Sequence, residues 1–247
     1  MKWQSVRMTH VDGRMHHLGV DESHIAKNVI LTPDPMLVPF YAKFMENAVQ
    51  MGDYREYVTY TGTYNGKPLT VMSCGFGCMP MAIAVEELNH LGAERVIRIG
   101  TNAAIQEEIA PGSICLASAA VRGEGATLEY IDASYPAVAD MELLAKLLAG
   151  NAGSEIRVGI FRSHDVENHE TPYVPGGMDR IRYWSSLGVD LLDGETSAMY
   201  VISSILGVKT ASLSLVTENH LTGEELDEQQ KLAGMERIFR AAAEALA

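Results

Sequence analysis

The chain has 247 residues, 47% hydrophobic and 21% charged, with a formal net charge of -13. That size and composition suit one α/β domain with a single large core. The acidic balance argues against a nucleic-acid binder, whose affinity rests on clustered Lys and Arg. No run is apolar over the roughly 18 residues that a membrane span needs, and "MKWQSVRMTH" lacks a signal-peptide apolar region, so a cytoplasmic protein without membrane contact is expected. Cys74, Cys78 and Cys115 form an odd set with no CxxC pair, which points to reduced core thiols rather than disulfides or zinc.

In chain order, β-rich runs are predicted at "NVILT" (28–32), "EYVTYTGTY" (56–64), "LTVMSC" (69–74), "RVIRIG" (95–100), "GSICLASAAV" (112–121), "IRVGIF" (156–161), "VDLLD" (189–193) and "KTASLSLVT" (209–217). Helical spacing appears in "MAIAVEELNHLG" (81–92), with Pro80 near its first turn and Gly92 as its stop. "TSAMYVISSILG" (196–207) is apolar almost all round and predicts a buried helix. The last segment opens with a capping-box pattern, Thr222 to Glu225, and closes as an amphipathic helix whose acidic run reads as a solvated face. Alternating strands and helices imply an α/β fold, a central mixed sheet flanked by helices, spanning residues 1–247 as one domain. The stretch "ENHETPYVPGGMDR" (167–180) has no clear period, and such loops on compact scaffolds often carry function.

Four local patterns bear on chemistry. In "RVIRIG" an arginine, Arg98, sits inside a buried run, and a buried guanidinium is costly unless an anion meets it. The turn "SCGFGCMP" (73–80) sets Gly75 and Gly77 between strand and helix; it is either a plain tight turn or a place where backbone approaches a ligand, and it lacks the third glycine of GxGxxG. "LLDGETSAMY" (191–200) ends a strand in Asp193 and Glu195. One of them would by default cap the following helix, whereas a carboxylate at a strand's C-terminal end can also accept from both hydroxyls of a sugar diol. "LVTENH" (215–220) puts Glu218 just beyond another strand. Ser163, His164 and Asp165 are adjacent in sequence and so cannot face one another as a hydrolase triad, and the histidines show no metal spacing.

Several ordered stretches, "HHLGVDESHI", "YREYVTYTGTYNGKPLTVMSCGFG", "IAVEELNHLGAERVIRIGTNAAIQ" and "YPAVAD", resemble the nucleoside phosphorylase family, which includes hexameric purine nucleoside phosphorylases and uridine phosphorylases. The resemblance runs from about residue 16 to the C-terminus. It implies a dimer-based homo-oligomer, a nucleoside substrate and inorganic phosphate as co-substrate, with no other cofactor and no metal. The family's phosphate ligands fall on Arg98 and Thr101. The arginine lent across a subunit interface falls on Arg55, and the histidine lent to the sugar 5'-hydroxyl falls on His17. The ribose acid falls on Glu195 beside Gly194, and the purine enzymes' catalytic acid falls on Glu218. Asn102, Glu167, Asn168 and Asp193 are assigned to the base pocket. Two departures stand out. The family's phosphate loop "GDPxR" reads "PDPML" at 33–37, which removes a glycine amide and an arginine, and "VENHETPYVPGG" (166–177) holds no arginine for a pyrimidine edge. Phosphorolysis of the N-ribosidic bond is the first expectation; a hydrolytic nucleosidase, or a weakly catalytic nucleoside-binding protein, are the alternatives.

Overall fold

The computed structural model describes residues 12–150, 156–166 and 176–247. The first half contains β1 (Asn28–Thr32), α1 (Val38–Ala42), β2 (Glu46–Tyr54), β3 (Tyr57–Tyr64), β4 (Lys67–Ser73), α2 (Cys78–His90), β5 (Arg95–Ala104) and β6 (Ile114–Gly123). The second contains β7 (Ala137–Val138), α3 (Met141–Gly150), β8 (Ile156–His164), α4 (Gly177–Ser186), β9 (Val189–Asp193), α5 (Thr196–Leu206), β10 (Lys209–Asn219) and α6 (Glu228–Leu246). Among the described residues, ten strands form one mixed sheet. Its apolar faces are covered by α2 and α5 on one side and by α1, α3 and α6 on the other. No described helix is long and apolar enough to cross a membrane. The three cysteines are buried thiols.

Strand β5 organises the sheet. One of its edges runs along β10 from Arg95 to Ala104. Its other edge pairs with β1 only as far as Arg98 and with β9 only at Ala103 and Ala104. The stretch between, Ile99 to Asn102, has no ladder partner on that side, so the sheet parts there. Open α/β sheets bind ligands at such points, where neighbouring strands diverge. Because β10 also pairs with β6, β6 with β8 and β8 with β9, the strands beyond the split curl round and close on β5.

Several sequence expectations need correction. The strand over 95–100 does not stop at Gly100 but continues to Ala104, because β10 goes on supplying ladder partners after the apolar run ends. The final helix begins at Glu228, capped by an Asp227–Gln230 box rather than by Thr222 and Glu225, which lie in the preceding loop. Part of the unpatterned stretch 167–180 is helical, since α4 begins at Gly177. Strand β2 escaped the sequence reading because its side chains are mostly exposed and show no alternation to detect.

Candidate active site

At the parting of the sheet lies a cavity of about 450 Å³. Its walls come from the loop after β1, the middle of β5, the β9–α5 junction, the end of β10 and one face of α6. Arg98 sits at its floor, 2% exposed, and here the guanidinium finds its anion: Glu195, itself 3% exposed. Glu195 Oε2 accepts from Arg98 Nε at 3.0 Å and also from Nη2. Glu195 Oε1 accepts from the Gly77 amide at 2.8 Å. The glycine turn after β4 therefore brings backbone to a protein carboxylate.

The pairing depends on a missing side chain. Arg98 and Gly100 share one face of β5. A Cβ built on Gly100 would lie 2.8 Å from Arg98 Nη1 and 3.0 Å from Cζ. Glycine at this position gives the guanidinium room to fold back over the strand. The Glu195 carboxylate and the Asp193 carboxylate hold Arg98 firmly in its charged form against the pull of burial. Burial pushes Glu195 above the usual carboxylate range, and Arg98 opposes that push.

The two acids of "DGE" divide the work that the sequence left open. Asp193 Oδ1 accepts from the Ser163 hydroxyl at 2.5 Å, and Oδ2 accepts from the Thr196 amide at 3.0 Å and from the Thr196 hydroxyl. It secures the first turn of α5, and although Asp193 lines the cavity its oxygens are engaged within the protein. Ser163 also accepts from the Ser197 amide, which leaves its hydroxyl no nucleophilic role. Asp193→Ala is expected to lower stability by about 1–3 kcal/mol, the cost of a lost cap and orphaned donors. Denaturant unfolding checks this, and unchanged stability with lost ligand binding would return Asp193 to the ligand.

The other expected residues fall into three groups. Thr101, Asn102, Gly194 and Glu218 line the same cavity as Arg98 and Glu195. Asn102, however, donates to the Leu192 carbonyl at 2.7 Å and accepts from the Ser214 hydroxyl at 2.7 Å, so both ends of its amide serve the fold. Glu218 is exposed at a bulge near the end of β10. Arg55 and His17 are not in the cavity wall. Arg55 lies in the β2–β3 turn with a positive φ of 56° and its guanidinium 5.4 Å from the Tyr54 ring centroid. His17 is held by buried Glu87, with Nδ1 2.7 Å from Oε1, while the Leu18 amide donates to Oε2 at 2.9 Å. Glu167 and Asn168 lie outside the described residues.

Several cavity-lining residues were missed, four of them on α6, where Leu232 joins the three named next. Glu228, Lys231 and Met235 of α6 face the cavity, so the acidic run of the last helix is not only a solvated face. Their spacing is helical, and it would have shown that one side of α6 looks inward. Lys231 is paired with Glu228 at 3.0 Å and lies within electrostatic reach of Glu218. Across the cavity, Pro33 and Leu37 bring no cation, and the Asp34 carboxylate is occupied by the Met36 amide at 2.8 Å.

The cavity at the parting of the sheet brings Arg98, Thr101 and Glu195 together, with Arg98 paired to Glu195 rather than left open for an outside anion. Residues 27–247 match the family described as the Phosphorylase superfamily. The chain belongs to the nucleoside phosphorylase family. It is 33% identical over 227 residues to a uridine phosphorylase of Thermococcus kodakarensis, covering 86% of this chain and 80% of that one. It is 29% identical to a DeoD-type purine nucleoside phosphorylase of Clostridium novyi, covering 92% and 97%. A crystal structure of uridine phosphorylase from Vibrio fischeri superposes with a TM-score of 0.86 at 30% identity, over 96% of this chain and 98% of that one. Within the family, nucleoside and phosphate are the implied substrates, and the chemistry is of the glycosyltransferase type.

Proposed function

We propose that this protein is a nucleoside phosphorylase, which cleaves the N-ribosidic bond with inorganic phosphate to give free base and ribose or deoxyribose 1-phosphate. The observation that carries the proposal is the Arg98–Glu195 pair beside Thr101 in one cavity of a nucleoside phosphorylase fold. Glu195 accepts from the ribose hydroxyls beside the Gly194 backbone. Arg98 and Thr101 hold the phosphate beneath the sugar, where it meets the carbon that becomes oxocarbenium-like as the bond to the base lengthens. Preorganised charges aimed at that developing cation lower the barrier more than ground-state binding does. Glu218, exposed at the cavity, protonates the leaving base. The base itself lies toward Ala103 and Leu192. Arg55 and His17 complete the phosphate and 5' ends from a neighbouring subunit, which fits their absence from the cavity wall of their own chain and makes the working form a homo-oligomer. The net charge of -13 and the lack of a basic patch in the sequence support a small-molecule enzyme of the cytoplasm rather than a nucleic-acid or membrane partner.

Hydrolysis is the second reading, and a specific observation favours it. Arg98 is already engaged by Glu195, while the loop at 33–37 adds no cation, so the phosphate subsite is weaker than an intact one. One missing charge-assisted hydrogen bond is worth about 1.5–3 kcal/mol, or roughly 10- to 100-fold in affinity. A phosphorylase with this loop is expected to show a high KM for phosphate, which Leu37→Arg lowers. Base release with and without phosphate, with the sugar product identified, tests both readings. Ribose released at an equal rate in phosphate-free buffer would overturn phosphorolysis.

A further inference from the structure

The last helix brings to the cavity a cation that the chemistry above does not use. Lys231 forms part of the wall together with Glu228, Leu232 and Met235, the i, i+3, i+4 and i+7 positions of one inward-looking stripe of α6. Its charge is secure: the hydrogen bond to Glu228, with the fields of Glu225 and Glu218 behind it, holds its pKa above the ordinary lysine value. The grip of Glu228 is nevertheless loose. The two side chains meet at 3.0 Å, yet the glutamate is 86% exposed and the lysine 29%, and water screens such a pair on a helix surface. Lys231 also rides near the N-terminal end of a 19-residue helix, where the dipole favours anions over cations. Helix stability alone does not call for a lysine there.

The opposite wall shows what this cation is for. The loop after β1 lends Pro33, Asp34 and Leu37 to the cavity that Arg98 and Thr101 also line, and its stretch "PDPML" carries no cation. Leu37 packs instead against an apolar cluster, and Met235 of α6 packs against the same one. Lys231 stands one helical turn before Met235 on the same face, so the cluster that holds Leu37 also seats the helix that carries the lysine. Among the described residues, Arg98 and Lys231 are the arginine and lysine of the cavity wall. Arg98 is fixed, its Nε and Nη2 already given to Glu195. Lys231, on a flexible four-carbon stem, is free to turn.

We infer that Lys231 is a phosphate ligand, a cation supplied by α6 in place of the one that the loop at 33–37 lacks. The inference rests on the phosphorolysis proposed above and adds to it a residue from an element that the sequence resemblance left out of the site. When phosphate enters beside Arg98 and Thr101, the ammonium exchanges an exposed glutamate for an anion already facing a second cation. The compensation is partial. A lysine is a mobile point charge without the planar fork by which arginine takes two oxygens at once, so the high KM for phosphate expected above still follows.

Phosphate titrations of base release, together with calorimetry using inorganic phosphate alone, test this. Lys231→Met, which keeps an unbranched stem and good helix propensity, is expected to raise the KM and the Kd for phosphate by at least about 10-fold, while the KM for nucleoside changes less. Lys231→Arg, which keeps the charge, should stay within about threefold of wild type. Adding Leu37→Arg to Lys231→Met should bring both phosphate constants back to wild-type values or below, because a loop cation then meets the same anion. Wild-type phosphate constants in Lys231→Met would overturn the inference. So would a change confined to kcat or to the nucleoside KM, which would make Lys231 a partner of Glu218. If the wild type releases base equally well without phosphate, the phosphorolysis proposal falls by itself and calorimetry still decides: phosphate binding that weakens in Lys231→Met upholds the ligand, and absent or unchanged binding overturns it.

Discussion

Glu195→Gln is expected to lower kcat/KM by about 100-fold or more, because a charged acceptor serving two sugar hydroxyls becomes a neutral one. Stability should fall as well. An exposed acid at a strand end would tolerate this isosteric swap, but the Glu195 side chain is buried with Gly77 on one oxygen and Arg98 on the other. Whichever way the glutamine amide is turned, its NH2 faces a donor, and a buried clash of that kind costs about 1–3 kcal/mol. Steady-state kinetics together with urea unfolding separates the two effects. Activity within about threefold of wild type, alongside a lowered midpoint, would reduce Glu195 to a structural partner of Arg98.

Gly100→Ala should be nearly as damaging although it adds only one methyl group. The new Cβ would occupy space within 3.0 Å of three guanidinium atoms of Arg98, so the side chain must move. A displacement of about 1 Å in a preorganised site can cost roughly 100-fold in rate. The loss is expected mainly in the KM for phosphate, and Arg98→Leu should remove phosphate dependence altogether. Phosphate titrations of the two variants check this. A Gly100→Ala enzyme with wild-type phosphate kinetics would show that Arg98 need not keep this position.

The strands with clear apolar patterns, such as those beginning at Asn28, Arg95 and Val189, were legible because both of their faces are buried and β-branched or leucine side chains fill them. The partner switch along β5 was not, since no local pattern records which strand lies alongside. Arg98 was legible as an anomaly, a charge in an apolar run, yet its partner lies 97 residues away and only folding brings them together. The residue pattern of "DGE" left open which acid caps the helix, and the resemblance put both on the ligand, because only the fold shows which carboxylate reaches the Thr196 amide. The end of the strand read only as far as Phe161 was hidden too, because the apolar pattern fails there while the ladder continues to His164.

On the proposed phosphorolysis, the Arg98–Glu195 pair makes the site neutral within itself. Phosphate and ribose each seek a group that the protein has already matched to the other's ligand. Phosphate drawing on Arg98 loosens its hold on Glu195 and frees that carboxylate for the sugar, and a sugar bound to Glu195 releases Arg98 in turn. In that reaction the two substrates would be thermodynamically coupled: each would tighten the other's binding, and by linkage the two enhancements would be equal.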